Sequence, residues 1–188
     1  MYQICVSGAA KGASVEEGKE LARRAGAAIA EAGHALMTGA TVGLPNYAAE
    51  GYKAAGGKMS FGISPASSKV EHVRKYRLPT EAYDVILYSG LHYVGRDSLL
   101  ITSSDAVVSI GGRLGTLHEF TIAMESDTPI GFLQGAGGIS GQIELIMEAA
   151  QPISKNNVVL FDNSPDELVK RLTKALDNEL GPLKELYV

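Results

Sequence analysis

Cysteine is nearly absent: the 188-residue chain carries one, Cys5. An intramolecular disulfide is therefore impossible, and no Cys-rich zinc site can be built. No uninterrupted run approaches the ~20 apolar residues that cross a bilayer, and the N-terminus lacks a basic segment followed by an apolar one. Positive charge is scarce too. The 17 Lys and Arg residues are outnumbered by 21 Asp and Glu, the net charge is −4, and no Lys/Arg block is longer than a few residues. A nucleic-acid or anionic-membrane footprint would need clustered cations. These absences point to a soluble cytoplasmic protein whose partner is a small molecule, with no nucleic-acid and no membrane partner.

Familiar nucleotide motifs are missing as well. Gly-x-Gly-x-x-Gly does not follow the first strand, and no Gly-Lys-Ser/Thr ends a loop, which disfavours NAD-type binding and P-loop ATPase chemistry. His34, His72 and His92 show no metal-ligand spacing, so no metal and no cofactor is expected. Ser7 lacks a Gly-x-Ser-x-Gly elbow, which disfavours a serine hydrolase.

What is present is apolar material and glycine. Hydrophobic residues make up 45% of the chain, enough to cover ~70% of the unfolded surface on folding and to exclude disorder as the default. Residues 1–188 read as a single domain. Glycine, at 22 residues, exceeds its usual share of ~7% and clusters at junctions between strands and helices.

Short apolar runs alternate with helix-period segments, the order of parallel strands joined by helical crossovers. Strands are expected at Tyr2–Val6, Ala35–Met37, Lys58–Ile63, Asp84–Tyr88, Ala106–Ile110, Pro129–Leu133 and Val158–Phe161. The fifth is unbroken in apolar character and reads as the sheet centre. Helices are expected from a Ser14–Glu17 capping box to Ala32, then at Pro45–Ala55, Tyr93–Thr102, Thr116–Ser126, Ser140–Ala150 and Ser164–Asn178. Ser64–Thr80 has no clean period and reads as a long loop, and the tail Gly181–Val188 either docks on the fold or contacts another subunit. The class is α/β: a doubly wound, mostly parallel sheet of about seven strands with helices on both faces.

In such a sheet the loops after the strands share one edge, where ligands meet helix N-termini. Three glycine-bearing loops fall there: Ser7-Gly8, Thr38–Gly43 with Gly39 and Gly43, and Gly111-Gly112-Arg113-Leu114-Gly115-Thr116. Glycine lets backbone N–H groups approach an anion, and Thr116 either caps its helix or donates to a phosphate. Arg113 adds a permanent cation that favours a dianionic or pyrophosphate-bearing ligand or crosses to a neighbouring subunit.

The run Gly111–Thr116 followed by Leu117-His118-Glu119 resembles the Pro-Gly-Gly-x-Gly-Thr-x-x-Glu signature of the Lonely Guy phosphoribohydrolases. Thr38–Leu44 resembles that family's earlier glycine loop, and Arg96 precedes Glu119 by the spacing of the family's catalytic pair. The likeness spans about residues 4–133 and is nearest the branch that also resembles molybdenum cofactor carrier proteins. Gly111 replaces the signature proline, Arg113 a glycine, Ala40 another glycine, and Asp97 the lysine after the arginine. The resemblance implies a Rossmann-like nucleotide-binding domain that cleaves a nucleoside 5′-monophosphate to base and ribose 5-phosphate, with Arg96 and Glu119 catalytic. Its alternative is a non-catalytic carrier or sensor of a nucleotide or phosphorylated pterin. It also implies a homodimer or higher oligomer.

From the residues alone, Glu119 either serves its helix dipole or faces the ligand, and Arg96 grips phosphate, aids a leaving base or is solvated on its helix face. Asp105 reads as a capping or pairing group, His118 as a surface or packing residue, and Cys5 as core.

Overall fold

Cys5, Val6, Val107 and Val108 leave their strands no polar face, so both sides must be covered. The computed structural model, which describes residues 1–150, 154 and 156–182, has that arrangement. Strands β1 (Gln3–Gly8), β2 (Ala35–Thr38), β3 (Ser60–Ser64), β4 (Val85–Tyr88), β5 (Ala106–Ile110), β6 (Ile130–Leu133) and β7 (Val159–Asp162) form one parallel sheet in the order β4-β3-β2-β1-β5-β6-β7. The strand order reverses direction at β1, which gives the doubly wound topology. The middle strand is β1, with β5 beside it in the register Val6 to Val108, correcting the expectation that β5 is central. Strand β5 is buried throughout, while β1 has an exposed Gln3 at its start, so burial along a strand does not mark the sheet centre.

Alternate residues of each strand face opposite layers. Ile4, Val6, Ala106 and Val108 pack with α1 (Ala13–Glu31), α2 (Leu44–Ala54) and α6 (Pro165–Leu180). Cys5 and Val107 face α3 (His92–Thr102), α4 (Leu114–Glu125) and α5 (Ile143–Ala150). Cys5 is fully buried there, as a core residue.

Three further expectations change. Helix α1 begins at Ala13 after an uncapped Gly12, and Ser14 sits inside the first turn, closed by Val15 N–H to the Gly12 carbonyl. The Ser14–Glu17 box therefore caps nothing: Gly12 takes the turn at φ 97°, and the start moves ahead of the serine. The stretch expected as a helix from Ser140 begins as a 3₁₀ turn, Gly138–Gln142, before α5. Ser164 does cap α6, accepting from Glu167 N–H.

The third change is Ser64–Thr80, expected as a loop and observed as a pinned segment around a π-helical turn, Glu71–Lys75. His72 is fully buried. Its Nε2–H donates to the Pro79 carbonyl at 2.9 Å, which leaves Nδ1 to accept from the Ser64 hydroxyl at 2.8 Å in the neutral ring. One turn is too short to show a period. Finally, the expectation for the tail lies, from residue 183 onward, outside the described residues.

Helices α1 and α2 cross at backbone distance. A Cβ at Gly26 would lie 1.9 Å from the Ala48 carbonyl oxygen, and one at Gly51 would lie 2.1 Å from that of Arg23. Helix propensity alone favours Ala at such positions by about 1 kcal/mol, whereas overpacking against backbone costs about 1–3 kcal/mol. Packing wins here because a carbonyl cannot rotate away. Gly26→Ala should therefore lower unfolding free energy by about 1–2 kcal/mol in urea denaturation, and a gain in stability would contradict the crossing.

Candidate functional site

The loops after β1, β2 and β5 meet at the carboxyl edge of the sheet and enclose a cavity of about 550 Å³. Of the residues singled out by sequence, Ser7, Gly8, Gly39, Arg96, Arg113, Gly115, Thr116 and Glu119 lie in its lining. Gly43, Gly111 and Gly112 stand outside the lining. Gly43 precedes α2, and Gly111 and Gly112 turn the chain from β5 into α4, all three with positive φ. The first turn of α4 follows Arg113 and has no side-chain cap, so its N–H groups are open to an anion.

Helices α3 and α4 bring Arg96, Asp97, His118 and Glu119 together from two adjacent pairs in sequence. Arg96, Asp97 and Glu119 are each less than 9% exposed. Arg96 is admitted by Gly39, where a Cβ would fall 1.8 Å from Nη1. Its Nε lies 3.5 Å from Asp97 Oδ1 but has no hydrogen-bond partner, and its guanidinium carbon is 6.0 Å from the centre of the Tyr93 ring. His118 Nδ1 is 3.2 Å from Asp97 Oδ2. The expectation of a surface or packing histidine is therefore corrected: His118 is a half-buried partner of Asp97. Asp105 behaves as a pairing group, accepting from Gln3 N–H at 2.7 Å.

Ser7 Oγ, at the end of β1, donates to Glu119 Oε2. Burial and then the neighbouring Asp97 carboxylate push Glu119 up to about 7, against the lowering effects of the Ser7 hydrogen bond, Arg96 and His118. A glutamate held there exists as both acid and carboxylate near neutrality, the range in which a group accepts and returns protons.

Sequence reasoning passed over several lining residues. Lys11, Tyr76, Arg77, Leu78, Tyr93 and Asp97 also face the cavity. The Tyr76 and Tyr93 rings meet edge to face at 5.6 Å. Counting Lys11, Arg77, Arg96 and Arg113, four cations face two carboxylates, an anion-attracting balance inside a chain of net charge −4. The available signal was the basic, tyrosine-bearing stretch Arg74-Lys75-Tyr76-Arg77, whose place at the cavity only the fold reveals. Among the described residues no group of three or more His, Cys, Asp or Glu is placed to hold a metal, and no helix is long and apolar enough to cross a membrane.

The fold and cavity define a Rossmann-like α/β protein with its ligand edge at the strand carboxyl ends. The chain belongs to the SLOG cluster4 family, whose model matches residues 1–169. An uncharacterized protein of Archaeoglobus fulgidus is 33% identical over 141 residues, 75% of this chain and 85% of that one. Among solved structures, the structural-genomics target TM1055 matches with a TM-score of 0.79 at 23% identity, over 93% of this chain and 99% of its own. The molybdenum cofactor binding protein of the phototrophic bacterium Rippkaea orientalis matches with a TM-score of 0.73 at 26% identity, over 93% and 97%. Family membership sets the fold and leaves the activity implied by the signature through Glu119 to be argued from the residues.

The elevated Glu119 fixes a pH dependence of stability. Between its ordinary value and about 7 the folded chain holds a proton that the unfolded chain has released, so stability falls as pH rises through this window. A shift of that size corresponds to about 3 kcal/mol. Denaturation at pH 4.5 and pH 7.5 should show this loss in wild type and not in Glu119→Gln; parallel curves for the two proteins would contradict the assignment.

Proposed function

We propose that the cavity binds a phosphate-bearing nucleotide and that the chain is a phosphoribohydrolase, cleaving a nucleoside 5′-monophosphate to base and ribose 5-phosphate. The observation that carries this reading is the order of groups along the cavity. The α4 N-terminus with Gly115 and Thr116 follows β5, Ser7 ends β1 against Glu119, and Gly39 after β2 abuts Arg96 beside Tyr93. Three neighbouring strands at ~4.8 Å spacing thus offer an anion site, a carboxylate and an aromatic end in the sequence phosphate, sugar, base.

Phosphate at the α4 N-terminus is held by backbone N–H groups and the macrodipole, with Arg113 and Lys11 adding charge. The ribose then lies over Glu119. As the glycosidic bond lengthens, its electron pair leaves on the base nitrogen, which takes a proton from solvent. Positive charge grows on the ring, and the Glu119 carboxylate stabilises it. Water adds to C1′ and passes its proton to that carboxylate. Ser7 orients the acceptor through its hydroxyl, and Arg96 offers donors to the departing base.

Removing such a preorganised charge costs on the order of 100- to 1,000-fold in rate. Glu119→Gln should bind nearly as wild type and release base more slowly by that factor, followed by chromatography of free base and ribose 5-phosphate over a nucleoside monophosphate panel. Gly115→Val tests the phosphate site separately: nothing lies within 4 Å of the added Cβ, so the variant folds while filling ligand space. Calorimetry should show binding lost in Gly115→Val, and retained binding would sink the phosphate assignment.

A second reading, a non-catalytic carrier, is supported by the likeness to the molybdenum cofactor binding protein and by Arg113 in place of a signature glycine. It takes over if wild type binds the panel and releases no more base than Glu119→Gln. A homodimer or higher oligomer, implied by the family resemblance, belongs to either reading.

A further inference from the structure

The end of the cavity away from the α4 N-terminus is rich in hydrogen-bond donors. Arg96, beside the Tyr93 ring that meets Tyr76, and Arg77, next to Tyr76 in the chain, both line the cavity, and a guanidinium carries donors and no acceptor. The acceptors nearby leave Arg96 Nε without a bond. Asp97 Oδ2 faces His118 Nδ1 while its Oδ1 stays 3.5 Å from Arg96 Nε without a hydrogen bond, Glu119 takes the Ser7 hydroxyl at Oε2, and the Tyr76 hydroxyl pairs with His92 Nδ1 at 2.8 Å. Arg96 is 5% exposed and its Nε is unpartnered, a buried donor without its acceptor. Such a group costs about 1–3 kcal/mol unless something completes it.

Arg77 carries a second sign of a functional position. Its φ is 55°, which a branched or bulky L-residue adopts at a cost, and the backbone holds it there. On one side Tyr76 N–H reaches the Glu71 carbonyl, closing the π-helical turn, and on the other Leu78 N–H reaches the carbonyl of buried His72. Strain kept by a rigid frame at a cavity wall aims the side chain. Beside it, the edge-to-face Tyr76 and Tyr93 rings supply a surface for a planar heterocycle.

We infer that Arg77 and Arg96 select a heterocycle that presents a carbonyl oxygen next to an unprotonated ring nitrogen, the edge shared by 6-oxopurine nucleotides and pterin phosphates, over one presenting an amino group. Paired guanidinium donors match the two adjacent acceptors of that edge, whereas the amino group of adenine meets donors with donors. This inference rests on the phosphate-binding reading of the same cavity and names its ligand class. It also gives the buried Arg96 a partner that the free protein does not supply.

The test is calorimetry with GMP, IMP, AMP and a pterin monophosphate, with inorganic phosphate as competitor. GMP and IMP should bind roughly 10- to 100-fold tighter than AMP, the discrimination of a bidentate pair. Arg77→Lys keeps the charge but loses the planar fork, so GMP and IMP affinity should fall toward that of AMP and the preference toward unity. Arg77→Asn, which tolerates positive φ, should lose the preference and some affinity. The pterin arm separates the two sources: the tighter of pterin phosphate and GMP identifies the physiological ring. AMP binding as tightly as GMP, or a preference unchanged in Arg77→Lys, overturns this inference and leaves the phosphate site standing. Failure of every ligand, inorganic phosphate included, overturns both.

Discussion

The enclosure of Arg96, Asp97 and Glu119 together is the constraint on which the rest of the structure depends. Each is almost wholly out of water, and removing a charge from water costs several kcal/mol that neighbouring charges only partly return. The cluster does not close on itself. Asp97 answers Arg96 weakly at 3.5 Å and His118 at 3.2 Å, and Glu119, out of water and then beside the Asp97 carboxylate, holds its proton toward neutrality. The scaffold yields where this arrangement requires it: Gly39 has no side chain where the guanidinium passes, and Ser7, paired with Ser109 one residue before the end of the central strand, supplies the donor for Glu119.

A parallel sheet is what makes the enclosure possible. All its strands end on one edge, so three loops and the open end of α4 converge without any long connection. Helices α3 and α4 lie side by side on one face and carry the adjacent pairs Arg96-Asp97 and His118-Glu119 to the same place. The tight α1–α2 crossing packs the opposite face through small residues and leaves the edge free. Even the π-helical turn serves the edge, since buried His72 ties it to Ser64 at the end of β3 and thereby sets Tyr76 and Arg77 at the cavity wall.

Much of this architecture is legible in the sequence because strand and helix periods are local. Seven apolar runs alternating with helical stripes specify seven strands and the α/β class, and the glycine clusters mark the edge where ligands approach. Glu119 and Arg96 stand out through a signature whose spacing reflects one loop and one helix start. What escapes the sequence are contacts between residues far apart in the chain. The Ser7 bond to Glu119 spans 112 residues and the His118 bond to Asp97 spans 21. Neither leaves a period or motif, and Asp97 reads only as a departure from a lysine. Arg77 and Tyr76 escape for another reason: one isolated turn, held by a histidine that bonds a serine and a carbonyl, has no repeating pattern to detect. The Ser14–Glu17 box misleads because a capping motif is as local as any other. Gly12, two residues earlier, takes the turn first.

Stability does not account for the cluster. Replacing a buried ion group by apolar residues of similar volume is often neutral or stabilising, so a fold under pressure for stability alone would place leucine or methionine at these positions. The layer that holds Arg96 and Glu119 is otherwise apolar, with Leu100, Ile101, Phe120 and Ala123 packed on the same two helices. Charges persist only where those helices reach the cavity. An orphaned Nε, a glutamate held near 7 and a helix start without a side-chain cap all lie at that one cavity. Groups that stability alone would not keep are thus gathered at one place in the fold, the carboxyl edge of the sheet.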